Sequence, residues 1–271
     1  MKYTFKVSCI QNSSGADISQ NINDITQLVM SAHLEGAELI CLPEYFCYVD
    51  NDDERMLAHS YFEEEHPALS HFCELAEKLN VWLLLGSLPI KLDNKKVNNR
   101  SYLINNLGNI AAKYNKLHLF DVDLSGRESY LESATVEAGD KSVLATTPWG
   151  SLGMSICYDL RFAYLYRQLA QNGANFLTIP AAFTQTTGIA HWHTLIRARA
   201  IETGCYVFAP CQCGEHPGGR TTFGHSLIVD PWGTALADAG EQPGYIIAEV
   251  DTQLVQQARQ KIPALLHDRK I

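Results

Sequence analysis

The first residues alternate in character: Tyr3, Phe5, Val7 and Cys9 are apolar and Thr4, Lys6 and Ser8 polar, which predicts a half-buried strand over residues 3–11. Residues 22–35 then carry an amphipathic helical pattern closed by Gly36, and the apolar run over 38–43 reads as a buried strand that ends at Glu44. Together these make a β-α-β unit. A second unit follows, in which Leu69, Phe72, Leu75, Ala76 and Leu79 recur at helical spacing over 67–79, Pro67 suits the first turn, and 81–85 is the returning strand. Past that point the period changes. Residues 101–105 and 110–114, joined through NNLGN, read as an antiparallel hairpin, and 142–146 with 153–156, joined through TPWGS, as another. Helical spacing returns over 162–171 and 188–202, with strands at 175–180 and 206–209, and a last pair of strands, 226–229 and 234–237, turns through DPWG. The expectation is a mixed α/β protein with several antiparallel hairpins rather than a pure doubly wound sheet.

No linker, repeat or low-complexity tract breaks this alternation, so residues 1–271 are expected to form one domain. Apolar residues make up 46% of the chain and charged residues 19%, which excludes disorder and coiled coil and suits a domain that buries surface against another subunit. The longest apolar stretch, over 81–90, has strand length, so no membrane span is expected. Lys6 falls where a secretory signal would need an unbroken apolar core, and eight cysteines placed in apolar segments suit a reducing compartment; a cytoplasmic location is predicted. A net charge of −9 without a basic stripe argues against a nucleic-acid partner. Dinucleotide-binding and P-loop glycine signatures are both absent.

Three residues stand in settings that invite chemistry. Cys157 ends the apolar run GMSI just before a helix; there it is either a small buried hydrophobe or a nucleophile whose pKa the helix dipole lowers. Glu44 directly follows LICLP, where a carboxylate is either a strand-end surface residue or a base with a raised pKa poised for proton transfer. Lys116, in YNKLHLFD, is by itself an ordinary strand-end charge.

Taken together, LPEYF, YNKLHLFD and SICYDLRF resemble the glutamate, lysine and cysteine motifs of the nitrilase (carbon–nitrogen hydrolase) superfamily, in the same order. The resemblance continues through ESATVEAGD, IAHWHTLIRARAIETGCYV and GHSLIVDPWG and covers nearly the whole chain. It implies an α-β-β-α four-layer sandwich, no cofactor, and a homodimer or higher homo-oligomer acting on a small-molecule amide. It further implies Cys157 as nucleophile, Glu44 as general base, Lys116 with the backbone N–H of Tyr158 as oxyanion donors, and Glu132 as the group that orients Lys116. Read without the family, Glu132 is a capping glutamate before Ser133. Within the superfamily the chain is most similar to the Nit branch of deaminated-glutathione amidases and ω-amidases, and CQCGEHPGGR leans toward the former. An anionic substrate needs cationic partners, for which Arg161, Arg127 and Arg220 are candidates.

Other readings stay open at this stage. The chemistry could serve 2-oxoglutaramate, simple aliphatic amides or N-carbamoyl compounds, or the fold could be a non-catalytic scaffold. Cys211, Cys213, His216 and His225 lie close in sequence and are ligand types, but they lack the usual Cys-x₂-Cys turn, so no metal is predicted. His193 departs from the acidic residue that some relatives carry in the HW-x element, and reads as a helix-face histidine. The Glu215 to Arg220 loop is particular to this chain. DNDDER and FEEEH read as solvated acidic runs.

Overall fold

The computed structural model describes residues 3–269 except 51, 94 and 125–127. In chain order its first half comprises strand β1 (Thr4–Gln11), helix α1 (Ile18–Leu34), β2 (Leu39–Cys41), the short α2 (Asp53–Ala58), α3 (Pro67–Leu79), β3 (Trp82–Lys91), β4 (Val97–Ile104) and β5 (Ile110–Asn115). A small hairpin, β6 (Asp121–Leu124) with β7 (Glu128–Leu131), leads into the second half. That half holds β8 (Val143–Thr147), β9 (Gly150–Met154), α4 (Ala163–Gln171), β10 (Phe176–Thr178), α5 (Gln185–Thr203), β11 (Tyr206–Ala209), β12 (Cys213–Glu215), β13 (Thr221–Phe223), β14 (Leu227–Val229) and β15 (Ala235–Asp238). Strand β16 (Gly244–Asp251) then returns to the first half, and helix α6 (Gln253–Lys261) follows.

Two six-stranded sheets result, ordered β16-β1-β2-β3-β4-β5 and β15-β14-β11-β10-β9-β8. Each has three parallel strands in the middle, extended by antiparallel neighbours on both sides. Period-two alternation decides what lies on each face. In the first sheet Val7, Cys9, Leu39, Cys41 and Leu84 join the core shared with Met154, Leu177, Val207 and Ile228 of the second sheet. The intervening Ile10, Ile40, Leu42, Leu83 and Leu85 instead pack with Ile25, Val29 and Phe72 from α1 and α3. Strands buried on both faces read as unbroken apolar runs, which is why LICLP and VWLLL carry no polar alternation. Helices α4 and α5 cover the far face of the second sheet, and the layers are the predicted α-β-β-α sandwich.

Predicted elements are largely recovered, with instructive shifts. Helix α3 has the expected bounds, with His66 capping its start and Asn80 ending it in a left-handed conformation (φ 55°). Helix α1 begins four residues before the expected start, because the Asp17 carboxylate accepts from the N–H groups of Ser19 and Gln20. Strand β16 and helix α6 were not expected: β16 is held by pairing with β1, some 240 residues away (Thr4 with Asp251), and local pattern does not reveal such a partner.

One glycine sets a backbone approach on which the rest of the first sheet's carboxyl edge depends. Gly86 sits at the register shift of β3 against β4, and a Cβ there would meet the carbonyl oxygens of Leu42 and Pro43 at 2.0 and 2.2 Å. The next residue, Ser87, accepts the N–H of Tyr45 through its hydroxyl at 3.0 Å, so the Leu42 to Tyr45 segment is clamped between these contacts. Gly86→Ala is expected to lower stability by about 3 kcal/mol in urea unfolding, because backbone rather than a flexible side chain must yield. Gly244→Ala, where the added carbon meets nothing within 4 Å, should stay within about 1 kcal/mol of the parent. Equal effects at the two positions would show that this approach does not constrain the sheet.

Candidate active site

The carboxyl ends of the sheet strands bring Glu44, Lys116 and Cys157 together at one buried place. Glu44 leaves β2 three residues after its end and is 2% exposed. Its Oε1 accepts from Lys116 Nζ at 3.0 Å and from Asn99 Nδ2 at 2.9 Å, and its Oε2 accepts from the N–H of Ala182 at 2.8 Å. Lys116 follows β5, is equally buried, and also donates to both oxygens of Glu132, at 3.0 and 2.9 Å. Glu132 lies in the turn Glu132–Ala134 and is itself held by the N–H of Phe120 at 2.6 Å. Its carboxylate is therefore a direct hydrogen-bond partner of Lys116 rather than only a turn residue.

Cys157 opens a five-residue 3₁₀ turn, Cys157–Arg161, in a left-handed conformation (φ 46°). Its N–H donates to the carbonyl of Pro180 at 2.9 Å, and its thiol hydrogen-bonds Glu44. Asp159, fully buried, fastens the turn: its carboxylate accepts from the N–H of Ile156 (2.8 Å), the hydroxyl of Tyr114 (2.7 Å), and both the N–H (3.0 Å) and ring Nδ1 (2.6 Å) of His118. The first hydrogen bond inside the turn runs from the N–H of Asp159 to the carbonyl of Ile156. The N–H of Tyr158 precedes it, where a helical turn leaves its donors for other partners.

Electrostatics here depart from two sequence expectations. The Cys157 thiol was expected to be acidified by a helix dipole; instead burial, and after it the negative charge of Glu44, hold its pKa well above the ordinary value. Helix α4 starts only at Ala163, six residues on, and its dipole fades within a turn. Of the two readings of Glu44, a strand-end surface residue or a base with a raised pKa, its burial excludes the first. Burial does push its pKa up, but the charges of Lys116 and Arg220 with the hydrogen bonds from Cys157 and Lys116 outweigh this, and the pKa lies below the ordinary carboxylate value. Burial opposes the charge of Lys116 as well, yet Glu132 and Glu44 hold it firmly protonated. The resting site is thus a neutral thiol beside an ionised carboxylate, a pair in which the base can take the proton as sulfur attacks. Burial also pushes Cys47 and Cys211 to about 12 and Cys213 to about 11, and none of these three lines the cavity.

Above the thiol lies a cavity of about 310 Å³, lined among others by Glu44, Lys116, Glu132, Cys157, Tyr158 and Arg220. That is the size of a small-metabolite pocket. Arg220, on the turn between β12 and β13, donates from Nη2 to the carbonyl of Ala182 at 2.5 Å, packs its guanidinium 5.4 Å from the Tyr130 ring, and leaves its buried Nε without a partner. Arg161 is held elsewhere, over the rings of Tyr158 (5.8 Å) and Phe183 (5.4 Å) and against His191, and is not among the lining residues. Arg127 lies outside the described residues.

Two residues that sequence reasoning passed over prove central. Asn99, in β4, donates to both Glu44 and Glu132, and Gln212 donates to the carbonyls of Glu44 (3.2 Å) and Tyr45 (3.1 Å). The polar Asn99 inside VNNRSY was the available signal for the first, since it is a buried amide on a nearly wholly buried strand. Among the described residues, Cys211, Cys213, His216 and His225 form no ligand cluster: His216 bonds the Ser14 carbonyl and the Thr222 hydroxyl, and His225 turns to Asp238.

A family model described as carbon-nitrogen hydrolase matches residues 6–260. The deaminated glutathione amidase of Synechocystis sp. is 41% identical over 272 residues, covering 97% of both chains. That of Homo sapiens is 39% identical over 268 residues, 97% of this chain and 82% of its own. Among solved structures, Saccharomyces cerevisiae Nit3, a member of branch 10 of the nitrilase superfamily, superposes with a TM-score of 0.87 at 30% identity, over 99% of this chain and 97% of Nit3.

Removing the Glu44 charge should separate its two effects. In Glu44→Gln the thiol pKa of Cys157 is expected to fall, because a neighbouring negative charge is gone, and thiolate absorbance in an ultraviolet pH titration reads this directly. Turnover should nonetheless drop by about 10² to 10⁴, since the base is lost. In the parent, the acid limb of kcat/KM should lie below the ordinary carboxylate range; a limb centred above it would contradict the ionised resting state. Asp159→Asn keeps the shape but cannot accept all four hydrogen bonds, so a loss of about 2 kcal/mol in stability is expected, together with a lower kcat. Unchanged melting and kcat would show that the Cys157 turn holds its form without it.

Proposed function

Because the chain belongs to the carbon-nitrogen hydrolase family, we propose that it runs amide hydrolysis through Cys157 and that its substrate is deaminated glutathione. The observation that carries the chemistry is the Cys157 thiol beside the lysine-held Glu44 carboxylate at the floor of the cavity, with burial and charge favouring a neutral thiol and an ionised carboxylate. As the sulfur attacks the amide carbon, Glu44 takes the thiol proton. Lys116 spends its three N–H bonds on Glu44 and on the two oxygens of Glu132, so it meets the developing oxyanion beside the N–H of Tyr158 by turning one of its two Glu132 bonds toward it. Each such donor contributes about 3 to 4 kcal/mol in comparable sites. The tetrahedral adduct collapses, the nitrogen leaves as the free amine with the proton held by Glu44 (as ammonia where the substrate is a primary amide), and a thioester remains. Water then gives its proton to Glu44, attacks the thioester, and the sulfur departs and regains its proton, restoring the site. Glu132 keeps Lys116 in place throughout.

The substrate reading rests on the names of the similar amidases and on Arg220. Its unpartnered buried Nε offers a charged donor to a carboxylate or 2-oxo group of a bound anion. On the same reading residues 1–271 act as one domain in the cytoplasm, where eight unpaired thiols persist, and as a homodimer. The dimer is supported by an apolar groove beside α5 and the carboxyl-terminal segment, where Ile201, Trp232, Ile262 and Leu266 are exposed.

Hydrolysis measured on deaminated glutathione, as the free amine released from its secondary amide, and on 2-oxoglutaramate, simple aliphatic amides and N-carbamoyl amino acids, as ammonia, tests this. Deaminated glutathione is expected to give the highest kcat/KM, Arg220→Ala to raise its KM by about tenfold or more, and Cys157→Ala to abolish release while leaving the fold intact. A large preference for 2-oxoglutaramate would overturn the substrate and leave the chemistry standing; activity in Cys157→Ala would overturn the mechanism.

A further inference from the structure

Away from the cavity, three side chains from separate segments converge on one surface point. His193 lies on α5, His225 in the turn that enters β14, and Asp238 at the end of β15. His193 Nε2 is 2.9 Å from Asp238 Oδ2, and His225 Nδ1 is 2.9 Å from Asp238 Oδ1. The three ligand-type atoms all lie within 4.8 Å of one another. From this geometry we propose that His193, His225 and Asp238 form a binding site for a divalent late transition ion of the zinc type.

Preparation of the cluster supports a site rather than a chance encounter. His225 adopts a left-handed backbone (φ 53°), an uncommon state for a histidine, and is fixed in it from both sides: its N–H donates to the carbonyl of Gly240 (2.6 Å) and its carbonyl accepts from Trp192 Nε1 (2.8 Å). Trp192 is fully buried and is the residue before His193, so one anchor positions both imidazoles. The His225 ring also stacks on Phe223 at 4.5 Å. Asp238 is oriented by the N–H of Gly240, which donates to Oδ1 at 2.9 Å. Two imidazole nitrogens and a carboxylate oxygen are borderline donors that favour zinc-like ions over the all-oxygen shells of magnesium or calcium.

Bond lengths of about 2.0 to 2.2 Å around a tetrahedral ion put its ligand atoms about 3.3 Å apart, so the two hydrogen-bonded pairs need open by only a few tenths of an ångström while the imidazoles draw together. The side chains are 40%, 22% and 36% exposed, which lets an ion enter and water complete its shell. A net charge of −9 favours cation approach. None of the three residues lines the cavity, so this site is separate from the amidase centre. Bound there, the ion would join α5 to the β14–β15 hairpin, and binding would displace any proton on the two coordinating nitrogens.

Calorimetric titration of ZnCl₂ into tag-free protein, with MgCl₂ as a control, tests the proposal. One saturable zinc site and no magnesium site are expected, with zinc affinity kept in Cys157→Ala and weakened by about tenfold or more in His193→Asn and Asp238→Asn. The visible spectrum of the cobalt-loaded wild-type protein gives a reading that needs no variant: nitrogen and oxygen ligation shows ligand-field bands without thiolate charge transfer. Absence of saturable zinc binding, equal affinity in His193→Asn and Asp238→Asn, loss of binding in Cys157→Ala alone, or a thiolate band would each overturn it.

Discussion

The ammonium of Lys116 lies out of water between two carboxylates, and the rest of the site is arranged around the need to keep it there. Withdrawing ions from solvent costs several kcal/mol each, and the attraction between them offsets this only when geometry is close and every remaining lone pair has a donor. Here the donors are visible. Glu44 is completed by Asn99 and the N–H of Ala182, and Glu132 by Asn99 and the N–H of Phe120. With Arg220 beside them, two negative and two positive charges share the cavity floor, and their formal charges cancel. A resting thiolate at Cys157 would leave a buried excess of negative charge. The neutral thiol is therefore a consequence of the same balance that keeps Glu44 ionised, and in the proposed mechanism the nucleophile is made at the moment of attack rather than stored.

Holding that balance is a task for backbone. Glu44 and Cys157 are each next to or at a left-handed non-glycine residue, Tyr45 (φ 53°) and Cys157 itself (φ 46°), and each strained turn is fixed by several partners. Ser87 and Gln212 grip the first and Asp159 the second. Gly86 lets β3 come close enough to Leu42 and Pro43 for that grip to form. The pKa of the thiol and the packing of a strand bulge are in this way linked through a short chain of contacts.

Much of this was legible in the sequence, and the limits are physical. The helix at 67–79 could be placed to the residue because its apolar spacing and its Pro67 are local signals. Glu44, Lys116 and Cys157 each had a plain reading alone, and they were singled out because LPEYF, YNKLHLFD and SICYDLRF together resemble the nitrilase superfamily's motifs. The direction of two pKa shifts was misread because it depends on neighbours 72 and more residues away, which no local pattern carries. Asn99 looked like any strand polar residue until Glu44 and Glu132 were placed on either side of it. Arg161 was as plausible a cation as Arg220 in the sequence; only the packing of its guanidinium over Tyr158 and Phe183 distinguishes them.

The two sheets share one plan, three parallel strands with an antiparallel neighbour before them and an antiparallel pair after, and the site draws on both. Glu44, Asn99 and Lys116 come from the carboxyl-side edge and outer strands of the first sheet, whereas Cys157 and Ala182 follow strands of the second. Neither sheet alone contains a nucleophile with its base. In open α/β sheets ligands gather beyond the carboxyl ends of the parallel strands, and stacking two such sheets face to face brings two of those edges to one cavity. The hydrogen bond from the N–H of Ala182 to Glu44 crosses between the sheets at the reacting groups themselves. Any shift of one sheet against the other therefore alters the Glu44 carboxylate before it alters the core, and the apolar packing between the layers is as much a part of the proposed catalytic geometry as Glu44, Lys116 and Cys157 themselves.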